Sequence, residues 1–127
     1  VWGYAVGLDM TRRDLQFAMR DKGRPWELGK AFDASAPIGP LTAADAVPHI
    51  GKAAIWLTVN GEPRQRSTIS HLIWSVAETV AYLSKYFRLE PGDLIYTGTP
   101  EGVGPVNRGD LLCGGIDGLG ELSVRIV

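Results

Sequence analysis

Cysteine is almost absent. Of 127 residues only Cys113 carries a thiol, so neither an internal disulfide nor a zinc site built on cysteine pairs can form within the chain. An excess of charge of either sign is missing too. Thirteen basic residues against fourteen acidic ones leave a net charge of −1, which offers no electrostatic footprint for nucleic acid or for an anionic membrane. No apolar run approaches the roughly 18 residues of a spanning helix, and no basic, apolar leader opens the sequence. No nucleic acid and no membrane is therefore expected as a partner, and a reducing, cytoplasmic setting is. The short catalytic signatures are equally scarce. There is no G-x-S-x-G elbow, no Gly-Lys-Ser/Thr phosphate loop and no G-x-G-x-x-G opening a helix. A serine or zinc hydrolase finds no support.

What is present suits one domain with a real core, since 45% of residues are hydrophobic and 21% charged. Val1-Trp2-Gly3-Tyr4-Ala5-Val6-Gly7-Leu8 reads as the middle of a strand, so the sequence is expected to start inside a longer protein. Thr11-Arg12-Arg13-Asp14 has the form of a capping box and predicts a short helix to about Lys22, stopped by Gly23. Residues 23–48 are rich in Gly, Pro and Ala and read as a long ordered loop or irregular strands. Ala54 to Val59 is a buried-strand pattern, Asn60-Gly61 a tight hairpin turn, and Glu62 to Arg66 the return strand. Leu72, Ile73, Val76, Val80 and Leu83 recur at helical spacing, which predicts a helix from Ser70, as its cap, to Phe87. A short strand Asp93 to Thr97, a glycine-rich loop to Val106, a turn Asn107 to Asp110 and an alternating strand Glu121 to Val127 follow. Cys113, in Leu111-Leu112-Cys113-Gly114-Gly115, reads as a small buried or half-buried residue.

Polar groups at strand ends and in glycine-rich loops mark three places for chemistry. Asp9, Arg13 and Gln16, four and three residues apart, would place a carboxylate, a guanidinium and an amide on one side of a helical turn. They form either a metal ligand beside two hydrogen-bond donors or a surface capping network. Lys30 lies in the apolar run Leu28-Gly29-Lys30-Ala31-Phe32. Its ammonium either stabilises developing negative charge or reaches out to solvent. The loop Thr97 to Val106 lets backbone approach a ligand closely, or is simply a turn. His49 and His71 lie in unrelated contexts, and His71 reads as a capping or core residue.

Taken in order, these stretches resemble the fumarylacetoacetate hydrolase family. The match rests on Gly3 to Gln16, on Gly29-Lys30-Ala31-Phe32-Asp33 with Pro37, and on Val59-Asn60-Gly61-Glu62 with Gln65. It continues through Pro91-Gly92-Asp93 and Thr97-Gly98-Thr99-Pro100-Glu101-Gly102-Val103-Gly104. Gly23-Arg24-Pro25-Trp26 and Ile116-Asp117-Gly118-Leu119 resemble its acylpyruvase and fumarylpyruvate hydrolase branch most. The resemblance implies an α+β, mostly β fold, a mixed β-roll, with residues 1–127 as the C-terminal portion of one catalytic domain. It implies a Mg²⁺ or Mn²⁺ site with Asp9 as a ligand, and substrate binding by Arg13, Gln16, Lys30 and Thr99. Lys30 and Gln16 would also act in catalysis. Homodimers are common among such proteins.

The family's Glu-x-Glu metal pair and His-x-x-Glu lid have no counterpart here, because no glutamate has another two residues on and neither histidine has Glu three residues later. Both are expected before Val1. The implied reaction is hydrolysis of a carbon–carbon bond in a 2,4-dioxo acid, releasing pyruvate. The alternatives are decarboxylation or isomerisation of a 2-oxo dicarboxylate, or a non-catalytic truncated relative.

Overall fold

The computed structural model describes all residues 1–127. The fold is α+β and mostly β: six strands in two antiparallel sheets, with three α-helices and three 3₁₀ turns at the margins.

The larger sheet grows from a hairpin. Strand β3 (Ala54–Val59) turns through Asn60 and Gly61, both at positive φ (53° and 83°), into β4 (Glu62–Thr68). Such a pair supplies the left-handed conformation at both central turn positions. Strand β5 (Leu111–Ile116) pairs with β3 on its other side, Ile55 facing Ile116 and Val59 facing Leu112. Strand β6 (Gly120–Arg125) then closes the order β4-β3-β5-β6. The register shifts at Leu57/Thr58 against β4, a bulge in the β3–β4 ladder.

The opening segment lies over this sheet. Strands β1 (Gly3–Tyr4) and β2 (Thr42–Ala43) pair, a bridge joins Gly7 to Ile38, and the amides of Leu8 and Met10 donate to the carbonyls of Pro37 and Ser35 at 2.9 and 2.8 Å. Residues 3–10 thus run as an antiparallel ribbon against 35–43. Leu8 and Leu57 both close on the bare backbone of Gly114, and Val6, Val59, Leu112 and Leu119 form the thin buried core. Cys113 is half-buried, as expected.

Several elements depart from the sequence reading. Helix α1 is Arg13–Arg20 and lacks the Thr11 capping box: Arg12 is its cap residue and makes no side-chain cap bond. The Thr11 hydroxyl is engaged by Lys30 instead. Within the segment read as loop, Glu27–Lys30 forms a one-turn helix, α2. The expected helix from Ser70 to Phe87 shrinks to α3 (Val76–Leu83). Ser70 sits in the 3₁₀ turn Ile69–His71, its hydroxyl paired with that of Thr68, and Leu72 is extended. Ser75 caps α3 in a reciprocal box with Glu78, which satisfies two amides that Ser70 could not. Asp93 to Thr97 pairs with no strand, and β5, with its two glycines, was not anticipated. No helix is long and apolar enough to cross a membrane.

Candidate active site

A cleft of about 690 Å³ opens between the ribbon, the sheet and the glycine-rich loop. Asp9, Thr11, Arg13 and Thr99 line it, together with Gln65 from β4 and Leu57, Val59 and Leu112 from the sheet. Its lining mixes apolar residues, among them the buried Val59 and Leu112, with a few polar ones, as small-molecule sites do.

Asp9 ends the ribbon, and Lys30 ends α2. They meet because α2 packs directly on the start of α1: the Arg12 amide donates to the Gly29 carbonyl at 2.9 Å. A Cβ on Gly29 would lie 3.0 to 3.1 Å from Gln16 N and Cα and from Arg12 O, so only glycine admits this approach without displacement. The Lys30 ammonium then donates to Asp9 Oδ2 at 2.7 Å and to Thr11 Oγ1 at 2.8 Å. Asp9 and Thr11, two residues apart in extended chain, present their side chains to the same ammonium. Asp9 keeps 42% of its side-chain surface exposed and Lys30 33%, so the pair is open to a ligand.

Arg13 and Gln16 meet as their spacing predicts, Arg13 Nη1 donating to Gln16 Oε1 at 2.8 Å. Gln16 is buried beneath α1 and does not line the cleft. No buried side-chain nitrogen or oxygen is left unpaired. Asp9 is not part of that helical face, since the helix begins only at Arg13 and the partner of Asp9 is Lys30. His71, exposed and bonded to the Ser67 hydroxyl at 3.0 Å, lies outside the cleft.

The loop bearing Thr99 is fixed from β4. Gln65 Nε2 donates to the Pro100 carbonyl at 2.6 Å, and Gly102, at φ 96°, lies so close to the Arg64 carbonyl that no Cβ fits. Two contributors escaped the sequence reading. Thr11 has the sequence form of a helix cap, but its i, i+2 relation to Asp9 on an extended segment is the signal that places its hydroxyl at the Lys30 ammonium. Tyr96, from the segment read as a strand, donates its hydroxyl to the carbonyls of Ala36 (2.9 Å) and Pro37 (3.3 Å). Burial, and after it the charge of Asp9, push its phenol above the ordinary value.

The model of the fumarylacetoacetate (FAA) hydrolase C-terminal domain matches residues 1–127. The chain belongs to the fumarylacetoacetate hydrolase family. A fumarylpyruvate hydrolase from Ralstonia is 49% identical over 126 residues, which are 99% of this chain and 65% of that protein. The human mitochondrial oxaloacetate tautomerase is 44% identical over 99% of this chain and 57% of its own length. The crystal structure of fumarylpyruvate hydrolase from Pseudomonas aeruginosa, in complex with Mn²⁺ and pyruvate, superposes with a TM-score of 0.97 at 72% identity, over 100% of this chain and 55% of that one. The chain thus spans 55% to 65% of the two fumarylpyruvate hydrolases, and its fold is the family's.

Proposed function

We propose that the protein containing this chain is a divalent-metal-dependent hydrolase that cleaves a carbon–carbon bond of acylpyruvates such as fumarylpyruvate, releasing pyruvate. The observation that supports it most is the 72% identity to the enzyme whose structure holds Mn²⁺ and pyruvate, in a chain whose Asp9 and Thr11 line the cleft and hold the Lys30 ammonium beside it. The 127 residues make up the C-terminal portion of one catalytic domain, in a cytoplasmic homodimer.

The donor set fits one corner of a hard-cation site. Asp9 brings a half-exposed carboxylate, the ligand type Mg²⁺ and Mn²⁺ prefer. No three His, Cys, Asp or Glu side chains of the chain group closely enough to hold an ion, so the remaining ligands come from outside these residues, from water or from substrate. When bound, such a cation supplies Lewis acidity that stabilises negative charge on a 2-oxo acid.

The chain's own residues do the rest. Arg13, steadied by Gln16, binds the substrate carboxylate as a guanidinium suits, and the Thr99 hydroxyl donates to an oxygen of the same ligand. Lys30, held beside the cleft by Asp9 and Thr11, stabilises the oxyanion that develops as water adds to the distal carbonyl, and Gln16, which does not line the cleft, contributes to catalysis through the Arg13 guanidinium that it holds. The bond between that carbon and the pyruvyl methylene then breaks, giving a carboxylic acid and pyruvate.

Asp9→Ala in the complete protein tests the reading. Acylpyruvate turnover, followed as pyruvate release with Mg²⁺ or Mn²⁺ added, should fall to background while the far-ultraviolet dichroism is retained. Undiminished turnover at the same metal concentration would reject Asp9 as a ligand. Conversion of oxaloacetate between its keto and enol forms, without pyruvate release from any acylpyruvate, would reject the hydrolase in favour of the tautomerase chemistry of the 44% identical relative.

A further inference from the structure

Residues 94–106, which carry Thr99 into the cleft, make no hydrogen bond from main chain to main chain. Two side chains hold the segment by hydrogen bonds, one on each side of Thr99. Gln65 from β4 reaches the Pro100 carbonyl. Tyr96 reaches the other way, to Ala36 and Pro37.

The Tyr96 contacts converge on the strand that delivers Asp9. The Pro37 carbonyl it reaches at 3.3 Å also accepts the Leu8 amide at 2.9 Å, the residue before Asp9. The Tyr96 ring lies flush against Gly7, where a Cβ would come 2.7 Å from Cε1. One side chain therefore touches the ribbon two residues before Asp9 and the strand opposite it, and belongs to the loop three residues before Thr99.

We infer that Tyr96 is a positioning residue, which ties the Asp9 ribbon to the Thr99 loop and so sets the spacing between the metal-side carboxylate and the substrate-side hydroxyl. This deepens the hydrolase reading and rests on it for the roles of Asp9 and Thr99. The hydroxyl is the device: the ring fills space against Gly7, while the O–H is what reaches the second segment. A cleft whose two walls drift apart loses ligand affinity even when each wall stays folded.

Tyr96→Phe in the complete protein keeps the ring and removes the donor. Ser75→Ala removes the cap of α3, outside the cleft, and serves as a measure of plain destabilisation. Binding of MnCl₂ and of sodium pyruvate in the presence of Mn²⁺ is measured by calorimetry for both, beside thermal midpoints and the KM and kcat for an acylpyruvate. Tyr96→Phe should weaken pyruvate binding and raise KM by about fivefold, equivalent to ~1 kcal/mol, with a smaller effect on Mn²⁺. Ser75→Ala should lower the midpoint and leave both affinities unchanged. Unchanged pyruvate binding in Tyr96→Phe overturns the inference, and so does an equal loss in Ser75→Ala. If the wild-type protein binds Mn²⁺ and pyruvate but hydrolyses no acylpyruvate, the functional reading fails, while the binding data still judge Tyr96 by themselves.

Discussion

The ammonium of Lys30 meets the carboxylate of Asp9 at 2.7 Å across 21 residues of sequence. A proposed metal ligand and a proposed oxyanion stabiliser are thus one ion pair. Lys30 opposes a cation at Asp9, and Asp9 fixes where the ammonium points.

Lys30→Met separates these effects. Removing the positive charge should tighten Mn²⁺ binding by a few-fold, since a half-exposed pair is worth at most about 1 kcal/mol. Over the same change kcat should fall by about a hundredfold or more, with a smaller rise in KM, as for a contact made mainly in the transition state. Calorimetry and steady-state kinetics on one preparation give both numbers. Weaker metal binding would show that Lys30 organises Asp9 rather than competing for it, and a rise in KM alone would make Lys30 a ground-state anchor.

Gly29→Ala probes the approach that brings the pair together. Alanine is better in a helix by about 1 kcal/mol, but its Cβ would meet Gln16 and Arg12 backbone at 3.0 to 3.1 Å. Overpacking against backbone typically costs about 1–3 kcal/mol, so the net change should be a lower urea midpoint with reduced turnover. A stabilised, fully active variant would mean that α1 and α2 part without consequence.

Acid sensitivity has named sources. The Asn107 amide and the Asn60 side chain hold Asp110 ionised below its ordinary pKa, as the Ser75 hydroxyl and amide do for Glu78. A lowered folded-state pKa means that the unfolded chain binds more protons. The stability these groups supply is therefore present above the ordinary carboxylate range and lost as pH falls below about 4. Thermal midpoints of Asp110→Asn should lie below wild type at neutral pH and converge with it in acid. Parallel curves would remove Asp110 from the account.

Residues 1–127 expressed alone should aggregate or show weak hydrogen-exchange protection, and should not hydrolyse acylpyruvates. Only eight residues are buried, while Trp2 is 71% exposed and Ile73 96%, which leaves apolar surface seeking cover. A soluble, well-protected and active fragment, seen by sedimentation and exchange, would place water activation within this chain.

How much of this the sequence disclosed depended on range. The β3–β4 hairpin was legible because Asn60-Gly61 carries its turn chemistry within two residues. Strand β5 was not, because Gly114 and Gly115 have little intrinsic strand preference and become strand by lying between β3 and β6. The same capping rule succeeded unread at Ser75 and failed at Thr11, where a lysine 19 residues away took the hydroxyl. Helix α2 is a single turn, too short for periodicity to register. Motif order pointed to Asp9, Arg13 and Thr99 as cleft residues, and the Arg13–Gln16 contact followed from spacing. The union of Lys30 with Asp9 and the reach of Tyr96 over some 60 residues are tertiary facts that no local pattern encodes.

The strand order β4-β3-β5-β6 also dictates a sequence of events in time. Its outer pairings, β3 with β4 and β5 with β6, each join neighbours in the chain, whereas the central pairing brings together Thr58 and Cys113, 55 residues apart. Closing that excursion carries the largest loop entropy in the sheet, and residues 94–106 lie inside it. The two hairpins should therefore gain protection early in refolding, and the amides shared by β3 and β5 late. The cleft that Thr99 lines is then assembled by the slowest joining step of the sheet, so a newly made chain acquires its ligand site last.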